Sequence, residues 1–214
     1  MTAVQCARLG VAGLFVQLGQ LEIDRWESMS RQPSMEEVKH AARFFSDALA
    51  WDPANAWALE GAGAMALAKM RASRIPREAL AAAKDAHQRF RQALLRRPSS
   101  PFLWANLALT KLYLNEIDEE LLTALRHADE LGPWEPAIQQ TVLFVGLATW
   151  QELDPELRKS LAQLIERGAS HNRKRLLDIV KSYRRFDLVC AIRSYADIAG
   201  PDCKNAAAAV QPGG

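Results

Sequence analysis

The sequence predicts an all-α fold: an α-solenoid of stacked antiparallel helix hairpins closed by a C-terminal helical cap. Three observations predict it. One spacing of small and large apolar residues recurs along the chain. Each full copy of that spacing ends at a proline. A second helix-type apolar pattern lies ahead of the copies.

The bulk composition fits a folded chain with a substantial core. Of 214 residues, 49% are hydrophobic and 24% charged. The 27 Lys and Arg nearly cancel the 25 Asp and Glu. A net charge of +2 calls for no nucleic-acid partner. The three cysteines, Cys6, Cys190 and Cys203, match no zinc spacing. Cys190 and Cys203 either pair in an oxidising compartment or stand as two free thiols, the plainer reading.

The first element covers 1–24. Its stretch LGVAGLFVQLGQL (Leu9 to Leu21) is apolar but interrupted by Gln17 and Gln20. It is shorter than the roughly 20 apolar residues that span a bilayer. A signal-peptide core would need a small-x-small cleavage site after it, and LEIDRW follows instead. The favoured reading is a first helix running on through Ile23 and Trp26. Membrane association or a longer native N-terminus are the alternatives.

Repeats follow over 25–168. Ala41, Phe45 and Ala48 precede Pro53; Ala86, Phe90 and Ala93 precede Pro98; Leu121, Leu125 and Ala128 precede Pro133. Steps of four and then three keep each trio on one helical face. The proline then blocks continuation. Leu157, Leu161 and Leu164 form a fourth set without the proline. In the stretch RPSSPFLWANLALTKL, Ser99 or Ser100 is placed to cap a new helix, with Pro101 in its first turn. Small residues at Gly63 and Ala108 predict close helix approach. Pro98 follows Pro53 by 45 residues and Pro133 follows Pro98 by 35. The longer interval predicts a lengthened hairpin between Ala56 and Arg97, its second helix starting at Pro76.

Two short helices, within His171–Arg185 and Phe186–Ala196, are expected to cap the stack over 169–199. Leu176, Leu177, Ile179, Val180 and Tyr183 supply their apolar face. Residues 200–214 read as a flexible tail.

Trp104, Leu107 and Ala108, followed by Leu121, Leu125, Ala128 and Pro133, resemble the tetratricopeptide repeat (TPR) family. Lys111 stands where that family has Tyr. The resemblance implies a concave groove lined by first-helix residues: Trp57, Glu60, Ala64, Phe102, Ala105, Asn106, Leu109, Gln140 and Phe144. It implies a protein partner, a peptide or helix held in that groove. Of the family's carboxylate-gripping residues only Asn106 is present; Gly61 and Thr141 occupy the matching offsets. Burial of Trp57 and Phe102 in repeat packing is the competing reading.

WANLALTKL, GPWEPAIQQTV and FDLVC are also similar to TPR proteins that accompany exopolysaccharide or O-antigen assembly at the inner membrane of Gram-negative bacteria. That similarity implies an accessory scaffold for polysaccharide machinery, inner-membrane-associated or periplasmic; a cytoplasmic location is the alternative.

Catalytic chemistry is not indicated. His40, His87, His127 and His171 share no metal-ligand spacing and read as exposed helix residues. GAGA (60–64 region) lies within a predicted helix and not after a strand, so it reads as packing and not as a phosphate loop. Asp118, Glu119 and Glu120 complement a helix N-terminus. The reading is therefore non-enzymatic, without cofactor or metal. Two basic runs remain: Arg89, Arg91, Arg96 and Arg97, and then Arg173, Lys174, Arg175, Arg184 and Arg185. They read as solvated faces. Binding of anionic lipid or acidic polymer through the C-terminal run is the alternative function.

Overall fold

The computed structural model describes residues 2–29, 31–190, 192, 195 and 203. Its described residues form ten helices and no strand: α1 Ala3–Ser28, α2 Met35–Trp51, α3 Ala56–Ala72, α4 Pro76–Leu94, α5 Pro101–Tyr113, α6 Glu119–Leu131, α7 Pro136–Ala148, α8 Pro155–Gly168, α9 Arg173–Ser182 and α10 Asp187–Cys190. They fall into two compact units, Met1–Asn115 and Glu116–Gly214. Most of 191–199 and of the expected tail at 200–214 lies outside the described residues.

Local chemistry sets the helix limits. Ser34 opens α2 with a reciprocal capping box: its hydroxyl accepts from the Glu37 amide, and the Glu37 carboxylate accepts from the Ser34 amide. Asn55, Ser100, Asp118 and Asp154 cap α3, α5, α6 and α8. Pro76, Pro101, Pro136 and Pro155 occupy first turns, where no amide donor is needed. α2, α4 and α6 end at Trp51, Leu94 and Leu131, each just ahead of its repeat proline.

In the first unit, each of α1 to α4 packs on the helix that follows it, and α1 also touches α3. Short connections between packed neighbours make the pairs antiparallel. α3 and α4 have 17 and 19 residues against 13 in α5, which accounts for the long proline interval. The repeated trios form the core: Ala41, Phe45 and Ala48, then Ala86, Phe90 and Ala93, are all buried. Their rings are received by glycines. A Cβ at Gly19 or Gly61 would lie under 3.0 Å from the Phe45 ring, and one at Gly63 would meet Phe90 at 2.7 Å. The GAGA stretch is thus the seat for two phenylalanines. Trp26, at the end of α1, joins Ala41, Phe45, Ala62 and Met65 in one apolar cluster.

In the second unit, α7 packs on α6, α8 and α9, while α8 also touches α6, α9 and α10. Leu121, Leu125 and Ala128 are buried, as are Leu157, Leu161 and Leu164. Gly146 faces Leu161 as Gly61 faces Phe45. Leu176, Leu177 and Val180 bury the inner side of α9, with Ile179 and Tyr183 half-buried.

Several buried polar side chains here are bonded to one another or to backbone carbonyls, while Arg167 Nε has no hydrogen-bond partner. Gln139 donates to the Pro133 carbonyl at 2.9 Å. Asn172 donates to the Pro136 carbonyl and to Gln139 Oε1. Asp129 accepts from Ser160 and from Arg167. The Tyr195 hydroxyl donates to the Ile165 carbonyl at 3.1 Å, and burial pushes its pKa up to about 12. Cys190 and Cys203 form a disulfide, so the plainer reading of two free thiols does not hold; their Cα atoms stand 5.6 Å apart. Cys6 is free and exposed.

Candidate protein-binding site

The candidate groove residues divide between the two units. Trp57, Glu60, Ala64, Phe102, Ala105, Asn106 and Leu109 belong to the first, Gln140 and Phe144 to the second.

Trp57 is the second residue of α3 and Phe102 the second of α5. Both rings are in water: Trp57 is 59% exposed and Phe102 41%. Neither is consumed by repeat packing. A cleft of about 320 Å³ opens between α1 and α3 beside Trp57, bounded by Gly13, Val16, Gln17, Gln20 and Asn55. Gly13 has open space where a side chain would stand, which helps keep the cleft wide.

Arg97 completes this site. It follows α4, and its guanidinium carbon lies 3.4 Å from the centre of the Trp57 ring. The same guanidinium donates to Glu60 Oε2 at 2.5 Å. Glu60 sits one turn beyond Trp57 on α3, so the carboxylate holds the cation over the indole face. The result is an aromatic platform with a cation stacked on one face of the indole. Arg97 had read as part of a solvated basic run. Its neighbour Pro98 signalled only a helix end; the pairing with Glu60 spans two helices and leaves no local trace.

The other candidates are placed differently. Leu109, at 7% exposure, and Ala105 are buried, while Asn106 and Ala64 are half-buried. In the second unit Gln140 donates to Asn172 Oδ1 at 3.1 Å, which ties its amide to the buried polar network. Phe144 is half-buried, edge-on to Tyr183 at 5.9 Å.

The histidines are not uniformly exposed. His87, expected on the surface, is half-buried with Nδ1 3.4 Å from Thr110 Oγ1. His127 is also half-buried, while His40 and His171 are exposed. No group of three or more His, Cys, Asp or Glu among the described residues is arranged to hold a metal. Within the C-terminal basic run, Arg185 pairs with Asp187 at 2.6 Å and stacks 3.8 Å from the centre of the Trp150 ring. That guanidinium holds the Asp187 carboxyl below its usual range. Lys174, Arg175 and Arg184 are exposed.

No family model matches the chain, and no curated protein matches it at a significant level. Among solved structures, it is similar to the crystal structure of YrrB, described as a TPR protein with an unusual peptide-binding site. The sequence identity is 17%, the match covers 84% of this chain and 87% of that one, and the TM-score is 0.49. At that identity and score the likeness decides nothing about what this chain binds. The chain's own residues make it an all-α succession of TPR-like hairpins: four helices bury the same motif positions against small residues or apolar neighbours.

Proposed function

We propose that the chain is a non-enzymatic protein-interaction scaffold and that its first unit takes a peptide or helix into the cleft between α1 and α3. The observation that carries this reading is the Trp57 platform. An exposed indole, stacked by Arg97 and fixed through Glu60, borders a cleft large enough for a few apolar side chains. Aromatic and arginine side chains at such positions carry a disproportionate share of interface energy. Because the platform is already held in place, little side-chain entropy remains to be lost on binding.

The finer reading is an accessory role in bacterial exopolysaccharide or O-antigen assembly, with inner-membrane polysaccharide machinery as partner. Its support is the sequence similarity of WANLALTKL, GPWEPAIQQTV and FDLVC. The Cys190–Cys203 disulfide is compatible with an oxidising compartment such as the periplasm.

The test is capture of partners from the native host on immobilised protein. Trp57→Ala should weaken capture by about tenfold or more, with the helical circular-dichroism signal unchanged. Lys174→Glu with Arg175→Glu should leave capture intact. Loss with the charge reversal and retention with Trp57→Ala would replace the cleft by the basic C-terminal face.

A further inference from the structure

A second concavity in the first unit uses a different face of α3. It encloses about 420 Å³ between α2, α3 and α4. α2 packs on α1 and α3, and α4 packs on α3 and α5, but α2 and α4 share no extended contact. One side of α3 is therefore left as the floor of a channel. Around that helix, Ala62, Met65, Ala66 and Lys69 point away from the side that carries Trp57 and Glu60.

The floor and lower walls are apolar: Val38, Ala42, Ala62, Met65 and Ala66. Three are alanines, which keep the channel deep, and Met65 is anchored in the apolar cluster beneath them. The rim is cationic. Lys39 and Arg43 stand one turn apart on α2, Lys69 lies on α3, and Arg89 is on α4. The single carboxylate of the lining, Asp85, is bonded to Arg89 at 2.9 Å. Lys39, Arg43 and Lys69 have no ion-pair partner among the described residues.

We propose that this channel is a second docking surface, and that its occupant is an acidic amphipathic helix of a partner protein. Charge complementarity selects the sign. The distribution of charge selects the kind of ligand. A single-chain lipid carries its charge at one end, whereas the cations without an ion-pair partner are spread along the channel, Lys39 and Arg43 on the α2 wall and Lys69 on the floor helix. From Val38 to Ser46 the α2 wall is about 12 Å long, the length of about two helical turns. A helix laid there would place apolar residues, spaced three and four apart, on the alanine floor. Carboxylates one turn apart on its flank would meet Lys39 and Arg43. This site is independent of the Trp57 cleft, so either can fail alone.

The test uses a fluorescent synthetic helix with leucines at three- and four-residue spacing and glutamates on both flanks. Controls are the same peptide with lysine for glutamate, and vesicles of anionic phospholipid. Fluorescence anisotropy is read with wild-type full-length protein and three variants. The glutamate peptide should bind in a salt-sensitive manner, and the lysine peptide and vesicles should not bind. Lys39→Glu with Arg43→Glu should weaken the glutamate peptide at least about tenfold and should gain affinity for the lysine peptide. An unchanged circular-dichroism signal and denaturant midpoint show that the variant with this reversed preference is folded. Ala42→Trp should block the channel while leaving its charges in place, and Trp57→Ala should leave binding unchanged. The proposal is overturned if the glutamate peptide fails to bind, if both peptides bind alike, if vesicles bind in its stead, or if only Trp57→Ala removes binding.

Discussion

Phe90 has no exposed surface and is pressed against Gly63 within the α3–α4 hairpin. Truncating it removes a whole ring from a site that helices on both sides hold open. Phe90→Ala should therefore cost about 3–5 kcal/mol, read as a lowered denaturant midpoint at unchanged slope. The glycines make a sharper comparison. In a helix interior, alanine is favoured over glycine by about 1 kcal/mol, so position alone would make any such exchange stabilising. At Gly10 nothing lies within 4 Å of the added carbon, and Gly10→Ala should raise the midpoint. At Gly61 the added carbon would collide with the buried Phe45 ring, which Gly19 confines from another side. Overpacking typically costs about 1–3 kcal/mol and outweighs propensity there, so Gly61→Ala should lower the midpoint. Equal shifts for the two variants would mean that Phe45 does not use Gly61 as its seat.

The N-terminus of α8 couples its cap to an ion pair. Asp154 accepts from the Leu157 amide at 2.8 Å and from the Arg126 guanidinium. The backbone bond, and then the arginine, hold its carboxyl below the usual range. A depressed folded-state pKa gives stability that is fully present above the unfolded value of about 3.9 and is lost as pH falls through the folded value. Asp154→Asn keeps an amide oxygen suited to capping but removes the charge. At neutral pH the variant should be less stable than wild type. As pH falls below about 4 the wild type should lose stability more steeply, because only it has this proton to take up. Denaturation curves at pH 7, 4 and 3 measure both effects; parallel acid slopes would remove Asp154 from the acid response. The first-unit counterpart, Glu37, is likewise lowered, by Arg31 first and then by its capping bonds to Ser34.

Across the whole molecule, the disulfide is the one covalent tie that the cysteine content admits among the described residues. In the oxidised native protein a thiol reagent should label Cys6 alone, and after reduction and unfolding it should label all three cysteines. Three labelled thiols without reductant would show that Cys190 and Cys203 are unpaired. None of the helices among the described residues is long and apolar enough to cross a membrane. α1 packs on α2 and α3, with Ala12 and Trp26 buried and Gly19 under Phe45.

The helices and their core faces were legible in the linear pattern, because helix periodicity, capping and proline placement act within a few residues. The spacing of Ala41, Phe45, Ala48 and Pro53 and of its copies marked which sides are buried. The interval of 45 residues marked the lengthened hairpin. Tertiary structure decided what depends on side chains from distant helices. Arg97 reaches Glu60 across 37 residues of chain and stacks on Trp57, so a basic run became half of an aromatic platform. Leu109 was a groove candidate by offset and is buried, and Gln140 was drawn into the Asn172 network. Residue offset along a helix gives an angular position only. Whether that angle meets water or a neighbour is set by where the next helix packs, and no short-range pattern encodes it.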